Sequence, residues 1–169
     1  MASITHLGVG LAAKRLAPKV PVVVLILAAY AIDFIWAGFY FAGIEHLPGQ
    51  LPVTTNPWSH GLFMASVWSL LLGLAAFLVS RRKTLGLGLG LLVFSHWLID
   101  WISHPMTAIF PGDTGLSLLF DGSPTVGLGW WRTPLAANLG EYLPLGLGII
   151  LYALTLRQLR REKKTTSSV

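Results

Sequence analysis

Cysteine is absent from this chain of 169 residues, and charge is scarce at 11%. The first absence removes disulfides, thiolate zinc sites and cysteine nucleophiles, which leaves His, Asp and Glu as the strong ligands and bases. The second takes the chain far from a soluble domain, where about a quarter of residues are charged. Acid is the scarcer sign, with seven Asp and Glu against twelve Lys and Arg. A cationic start followed by a short apolar core and a small-residue cleavage site is also missing, since the first lysine is Lys14, so no removable signal peptide is expected. What is present instead is apolar: 54% hydrophobic residues and a positive mean hydropathy point to an integral membrane protein.

Apolar stretches of about 20 residues, enough to cross a ~30 Å hydrocarbon core, run over 20–44, 60–80, 84–103 and 136–156. The expected fold class is an all-α membrane protein, a bundle of four transmembrane helices in a single transmembrane domain, 1–169. A further apolar piece within residues 2–13 is too short to cross and is expected as a half-inserted helix held inside the bundle, with a surface-lying amphipathic segment as the alternative. The basic residues mark boundaries: Lys14, Arg15 and Lys19, then Arg81, Arg82 and Lys83, then Arg157, Arg160, Arg161, Lys163 and Lys164. This is the positive-inside pattern, not a nucleic-acid-binding face. It places both termini and the tail 157–169 in the cytoplasm, and the loops 45–59 and 104–135 outside. The second of these loops, rich in Gly and Pro with Trp130 and Trp131 at headgroup level, is expected to cap the outer face.

Small residues at helical spacing, Ala65, Ser69 and Gly73 in one span and Gly86 and Gly90 in the next, predict close helix contact. The run Gly86-Leu87-Gly88-Leu89-Gly90 follows no strand and lies inside a span, which excludes a nucleotide-binding loop.

His96, Asp100 and His104 recur at every fourth position, so a helix of 3.6 residues per turn places them on one drifting face. Ionisable side chains are rare in lipid and usually functional, and two imidazoles with a carboxylate suit a divalent metal, zinc first, with iron or manganese accepting similar ligands. Counting about 1.5 Å per residue from the basic boundaries puts these three, with Asp33, His60 and Glu141, about 20 to 32 Å along their helices, in the outer half of the bilayer. His6 reaches only about 12 Å above Lys14 on the same count. No Lys or Arg lies at matching depth, which favours a metal as the counter-charge for the aspartates. The alternatives are polar contacts between helices, or a proton relay, and for His60 a place in the first helical turn after an N-cap Ser59. Glu141 stands near Pro144, whose missing amide proton frees a carbonyl, so it belongs either to a kinked, hydrated helix or to the site as ligand or general acid/base. Arg132, the one cation on the outer side, is a headgroup anchor or a phosphate clamp. His46, beside Glu45, is expected in a solvated loop, and Asp113 and Asp121 in turns.

Thr5-His6, Asp33, Trp58-Ser59-His60-Gly61 and Ser95-His96-Trp97-Leu98-Ile99-Asp100, in that order over roughly residues 4–116, resemble the membrane-bound metal-dependent hydrolases of bacterial inner membranes, the family that includes a LexA-regulated member. The ligand order is similar, more distantly, to that of the zinc-dependent phospholipases C. The resemblance implies a hydrolase of the inner membrane with metal ligands at His6, Asp33, His60, His96, Asp100 and His104. Two departures bear on how many ions it holds: Asp33 has no second aspartate two residues before it, and Thr54, Thr55, Asn56 and Pro57 stand where many members carry a further His. The expected chemistry is hydrolysis of a lipid or lipid-linked phosphoester at the outer leaflet by metal-bound water, with Asp100 or Asp33 orienting the water, Glu141 protonating the leaving group and Arg132 holding a phosphate. A small proton-coupled carrier and a non-catalytic metal-stabilised scaffold are the alternatives.

Overall fold

Backbone amides surrounded by apolar side chains must be paired within the chain, and a helix does this segment by segment. The computed structural model, which describes residues 3–47 and 55–166, is accordingly mostly helical. Its helices are α1 (Ile4–Ala12, continued by a 3-10 turn Ala13–Arg15), α2 (Val22–Ala29), α3 (Ala31–Phe41), α4 (Leu62–Ser80), α5 (Lys83–Ser103) and α6 (Pro134–Thr166). Three of them, α4, α5 and α6, are long and apolar enough to cross a membrane, and α2 with α3 makes a fourth if that pair, bent by 55°, is one span. Residues 48–54 of the expected outer loop, Thr54 among them, and 167–169 of the expected tail lie outside the described residues.

The segment expected as one span over 20–44 is thus two helices, broken at Tyr30, whose φ of −96° and ψ of 4° leave the helical region. No Pro or Gly marks the break. At it, the carbonyl of Ala29 accepts a hydrogen bond from a neighbouring helix, His96 Nδ1 at 2.8 Å, one of the known causes of a kink. α6 departs in the other direction, since it continues ten residues into the expected tail, 157–169. Nothing stops it: after Gly148 the sequence has neither Gly nor Pro, and Gln, Arg, Lys and Glu are good helix formers whatever the solvent.

The helices meet through glycine. A two-residue connection folds α5 back along α4, with Arg81 in the left-handed region at φ 57° closing the turn. Where they cross, a Cβ on Gly73 would lie 2.9 Å from the carbonyl of Gly86, and one on Gly90 3.0 Å from that of Ser69, so the backbones themselves are in contact. α1 docks in the same way on α6. A Cβ on Gly8 would strike the carbonyl of Pro144, and one on Gly148 the backbone of Gly8. Pro144 has no amide proton to give to Gly140, and the hydroxyl of Thr5 fills that place, donating to the Gly140 carbonyl at 2.7 Å. α1 is therefore seated at a gap in another helix's hydrogen-bond ladder, and its Thr5, His6, Gly8 and Gly10 are buried.

The segment expected as a capping loop adds what an all-α reading omits, a two-stranded antiparallel ladder of β1 (Leu116–Ser117) and β2 (Thr125–Val126). It lies on the start of α4: Phe63 N–H donates to the Leu118 carbonyl at 3.1 Å, and the rings of Trp58 and Phe120 meet at 4.9 Å. Gly61 makes this approach possible, since a Cβ there would lie 2.9 Å from the carbonyl of Leu119. Leu116 reaches the main core with Ile32, Ala65, Val93 and Trp97, directly beside the polar cluster described next.

Candidate metal centre

Helix periodicity puts His96 and Asp100 on the inner face of α5, and the rest of the bundle brings three more ionisable groups to them. Asp33 stands in the first turn of α3, where the helix dipole favours an anion. His60 ends the turn before α4, and His6 comes from α1. All five are buried: His6 and His96 at 0% exposure, Asp100 at 5%, Asp33 and His60 at 6%.

Around one centre, His60 Nε2 lies 3.6 Å from Asp33 Oδ1 and 3.6 Å from Asp100 Oδ2, and His96 Nε2 lies 3.3 Å from Asp100 Oδ2 and 3.8 Å from Asp33 Oδ1. Ligand atoms bound tetrahedrally at zinc distances of about 2.0–2.1 Å stand about 3.3 Å apart, so these spacings match the edges of a polyhedron able to hold a metal ion. The other carboxylate oxygen of Asp100, Oδ1, lies 3.3 Å from His6 Nε2, and the His6 ring is stacked on that of His96 with centroids 3.7 Å apart. Two groups have metal-ligand geometry, His6–His96–Asp100 and Asp33–His60–His96, and they share His96.

The protons can be placed from the second partners. A carbonyl only accepts, so the 2.8 Å contact to Ala29 puts the proton of His96 on Nδ1 and leaves a lone pair on Nε2. That lone pair faces carboxylate oxygens with no hydrogen-bond partner, and the Nε2 atoms of His60 and His6 likewise face carboxylates, at 3.3 to 3.6 Å, without one. Lone pairs and carboxylates turned towards one another in a buried space repel unless a cation lies among them.

Behind His60 stands a group that sequence reasoning passed over. Glu45, expected only as the neighbour of a solvated His46, is 1% exposed. Its Oε1 accepts from Ser59 N–H at 2.9 Å and its Oε2 from Ser59 Oγ at 2.6 Å, while Ser59 Oγ lies 2.7 Å from His60 Nδ1. Ser59 is thus not an N-cap; the residue before α4 is Gly61, with no side-chain cap. Burial pushes the Glu45 carboxyl up from its ordinary range, and the Ser59 donors work against that. No sequence signal pairs positions 45 and 59, which lie fourteen residues apart in the chain.

The remaining expected site residues lie elsewhere. His104 enters neither metal-ligand group. α5 stops at Ser103, because the residue before a proline is driven out of the helical region, and His104, followed by Pro105, is extended at φ −74° and ψ 148°. The spacing of four therefore ceases to set its direction, and its Nδ1 lies 2.7 Å from Asp113 Oδ2 instead. Asp113, expected as a plain turn residue, also accepts from the N–H groups of Met106 and Gly115 at 2.5 and 2.9 Å. Burial alone would raise its carboxyl, but the His104 contact and these donors hold it below the ordinary range. Glu141 caps α1: its Oε2 accepts from Ser3 Oγ at 2.8 Å and Thr5 N–H at 3.1 Å, supplying from another helix the negative charge that α1 lacks in its own first turn. Arg132 is exposed in the turn Trp130–Arg132, its guanidinium against Gly129. Compared with protein-family models, with curated proteins and with solved structures, the chain matches none.

Proposed function

We propose that this protein is an integral membrane hydrolase in which Asp33, His60, His96 and Asp100, with His6 beside them, bind a divalent metal ion, Zn²⁺ first. The observation that carries the reading is the convergence of three imidazole Nε2 atoms and two carboxylates, all buried and delivered by α1, α3, the turn before α4 and α5, at spacings of 3.3 to 3.8 Å. The bound ion would lower the pKa of a water molecule towards neutrality and polarise the bond under attack, so no strong protein base is needed. In this reading the chain is a bundle of four spans with α1 as a half-inserted fifth element, set in a bacterial inner membrane. The basic clusters support an orientation with both termini in the cytoplasm and the metal centre in the outer half of the bilayer. A lipid or lipid-linked phosphoester is the substrate class that reaches this depth. The family resemblance of the ordered His and Asp motifs supports the same chemistry.

Asp100, which faces His6, His60 and His96 together, is the group to orient the attacking water. Glu141 and Arg132 have no part in the chemistry here, since the first is occupied by α1 and the second is exposed on the outer loop. The ring of four donors gives the scaffold reading an argument of its own, because structural zinc sites are closed by four protein ligands and catalytic ones keep a position for water.

The test is metal analysis of detergent-purified protein, wild type beside His96→Ala and Asp100→Ala. Wild type is expected to retain about one Zn²⁺ or more per chain and both variants to lose it; equal metal in all three defeats the site. A hydrolysis screen over phospholipid and phosphoester headgroups then separates the two readings, since a scaffold turns over none of them.

A further inference from the structure

A buried carboxylate is costly unless its hydrogen bonds are met, and both oxygens of Glu45 accept from Ser59. Ser59 in turn touches His60 Nδ1. A serine hydroxyl has a single proton, and three acceptors could take it: Glu45 Oε2 at 2.6 Å, the Asn56 carbonyl at 3.5 Å and, if its proton sat on Nε2, His60 Nδ1 at 2.7 Å. The nearest, charged acceptor wins. Ser59 Oγ then meets His60 with a lone pair, and only a protonated Nδ1 satisfies it at 2.7 Å.

We propose that Glu45 is a positioning residue that, acting through Ser59, holds the proton of His60 on Nδ1 and keeps Nε2 open as a metal ligand. This rests on the metal reading above for its purpose, though not for its geometry. His96 reaches the same tautomer by a simpler route, a backbone carbonyl that can only accept. Ser59 can donate or accept with equal ease, so it gives no direction by itself. The carboxylate behind it removes the choice. Metal-binding histidines are commonly oriented by such outer partners, whose loss weakens metal affinity about 10–100-fold.

Glu45→Gln tests the direction without changing the shape. The amide oxygen still accepts the Ser59 N–H, but the amide nitrogen now donates to Ser59 Oγ, so the hydroxyl turns and donates to His60 Nδ1. The proton of His60 must then move to Nε2, where it blocks the metal. Long-range ¹H–¹⁵N spectra of the full chain in detergent, chelator-treated and ¹⁵N-labelled at histidine, report the tautomer directly, with the His60 signals identified by their loss in His60→Asn. The expected result is Nδ1–H in wild type, Nε2–H in Glu45→Gln and a mixture in Ser59→Ala. Zn²⁺ titration against a competing chelator is expected to show a loss of about 10–100-fold for Glu45→Gln. His60 protonated on Nε2 in wild type overturns the relay, and so does an unchanged tautomer in Glu45→Gln. If Glu45→Gln fails to fold, Ser59→Ala carries the decision: an undisturbed Nδ1–H tautomer there overturns the relay. A wild-type chain that binds no Zn²⁺ overturns the metal reading instead, and the metal-free spectra tell the two failures apart.

Discussion

Each candidate imidazole is held by what lies behind it. The Ala29 carbonyl fixes His96, Ser59 fixes His60, and α1's seat on α6 fixes His6. Asp100 is the residue with most at stake, because its two oxygens face three imidazoles. Asp100→Asn keeps the shape and removes the charge, and it is expected to cost Zn²⁺ affinity more than the ~10–100-fold typical of outer-shell changes, read by chelator competition. At this scale the sequence was legible where spacing alone decided direction, as for His96 and Asp100 within one helix. It misled at His104, where the spacing continued but the helix did not; Pro105 carried the warning. Glu45 was illegible, since its partner lies fourteen residues away, at a separation that no helical or strand period selects.

Among the elements, α1 shows how a nine-residue helix can be held inside a bundle. It has a glycine seat at Gly8, a hydroxyl in the gap left by Pro144 and a borrowed cap from Glu141. Thr5→Val removes one hydrogen bond and strands the Gly140 carbonyl, a cost of about 1–3 kcal/mol. Gly8→Leu forces α1 off α6 and is expected to destabilise by about 1–3 kcal/mol while also weakening Zn²⁺ binding, because His6 moves with its helix. Thermal unfolding in detergent beside a zinc titration checks both. The outer segment is tied by Asp113, whose carboxyl sits below its ordinary value when folded. The stability it supplies is therefore complete above that ordinary value and is lost as pH falls through the lower, folded one. Hydrogen exchange across 105–117 is expected to quicken under that acid condition, and to be quick already at neutral pH in Asp113→Asn. The long apolar runs made α4, α5 and α6 legible in advance, whereas the bend at Tyr30 was not: its cause lies in another helix, sixty-seven residues away.

For the molecule as a whole, a bound ion that ties α1, α3, α4's leading turn and α5 together stabilises the folded state by mass action, about 2.7 kcal/mol at a hundredfold excess over Kd. Chelation is expected to lower the unfolding temperature of wild type, added Zn²⁺ to restore it, and His96→Ala to be insensitive to both. The absence of cysteine makes the proposed orientation easy to check, since any introduced thiol is unique. Ser123→Cys is expected to react with an impermeant maleimide on intact cells, and Thr165→Cys only after permeabilisation. The opposite pattern reverses the orientation. The docking of α1 on α6 also sets a calendar for biosynthesis. The ribosome makes the helix bearing His6 before the helix that receives it, so a nascent chain that has not yet reached Glu141 and Pro144 has nowhere to lodge α1. The cluster lacks a seated His6 until α6 has been made, and a product truncated before α6 is expected to leave α1 without its seat.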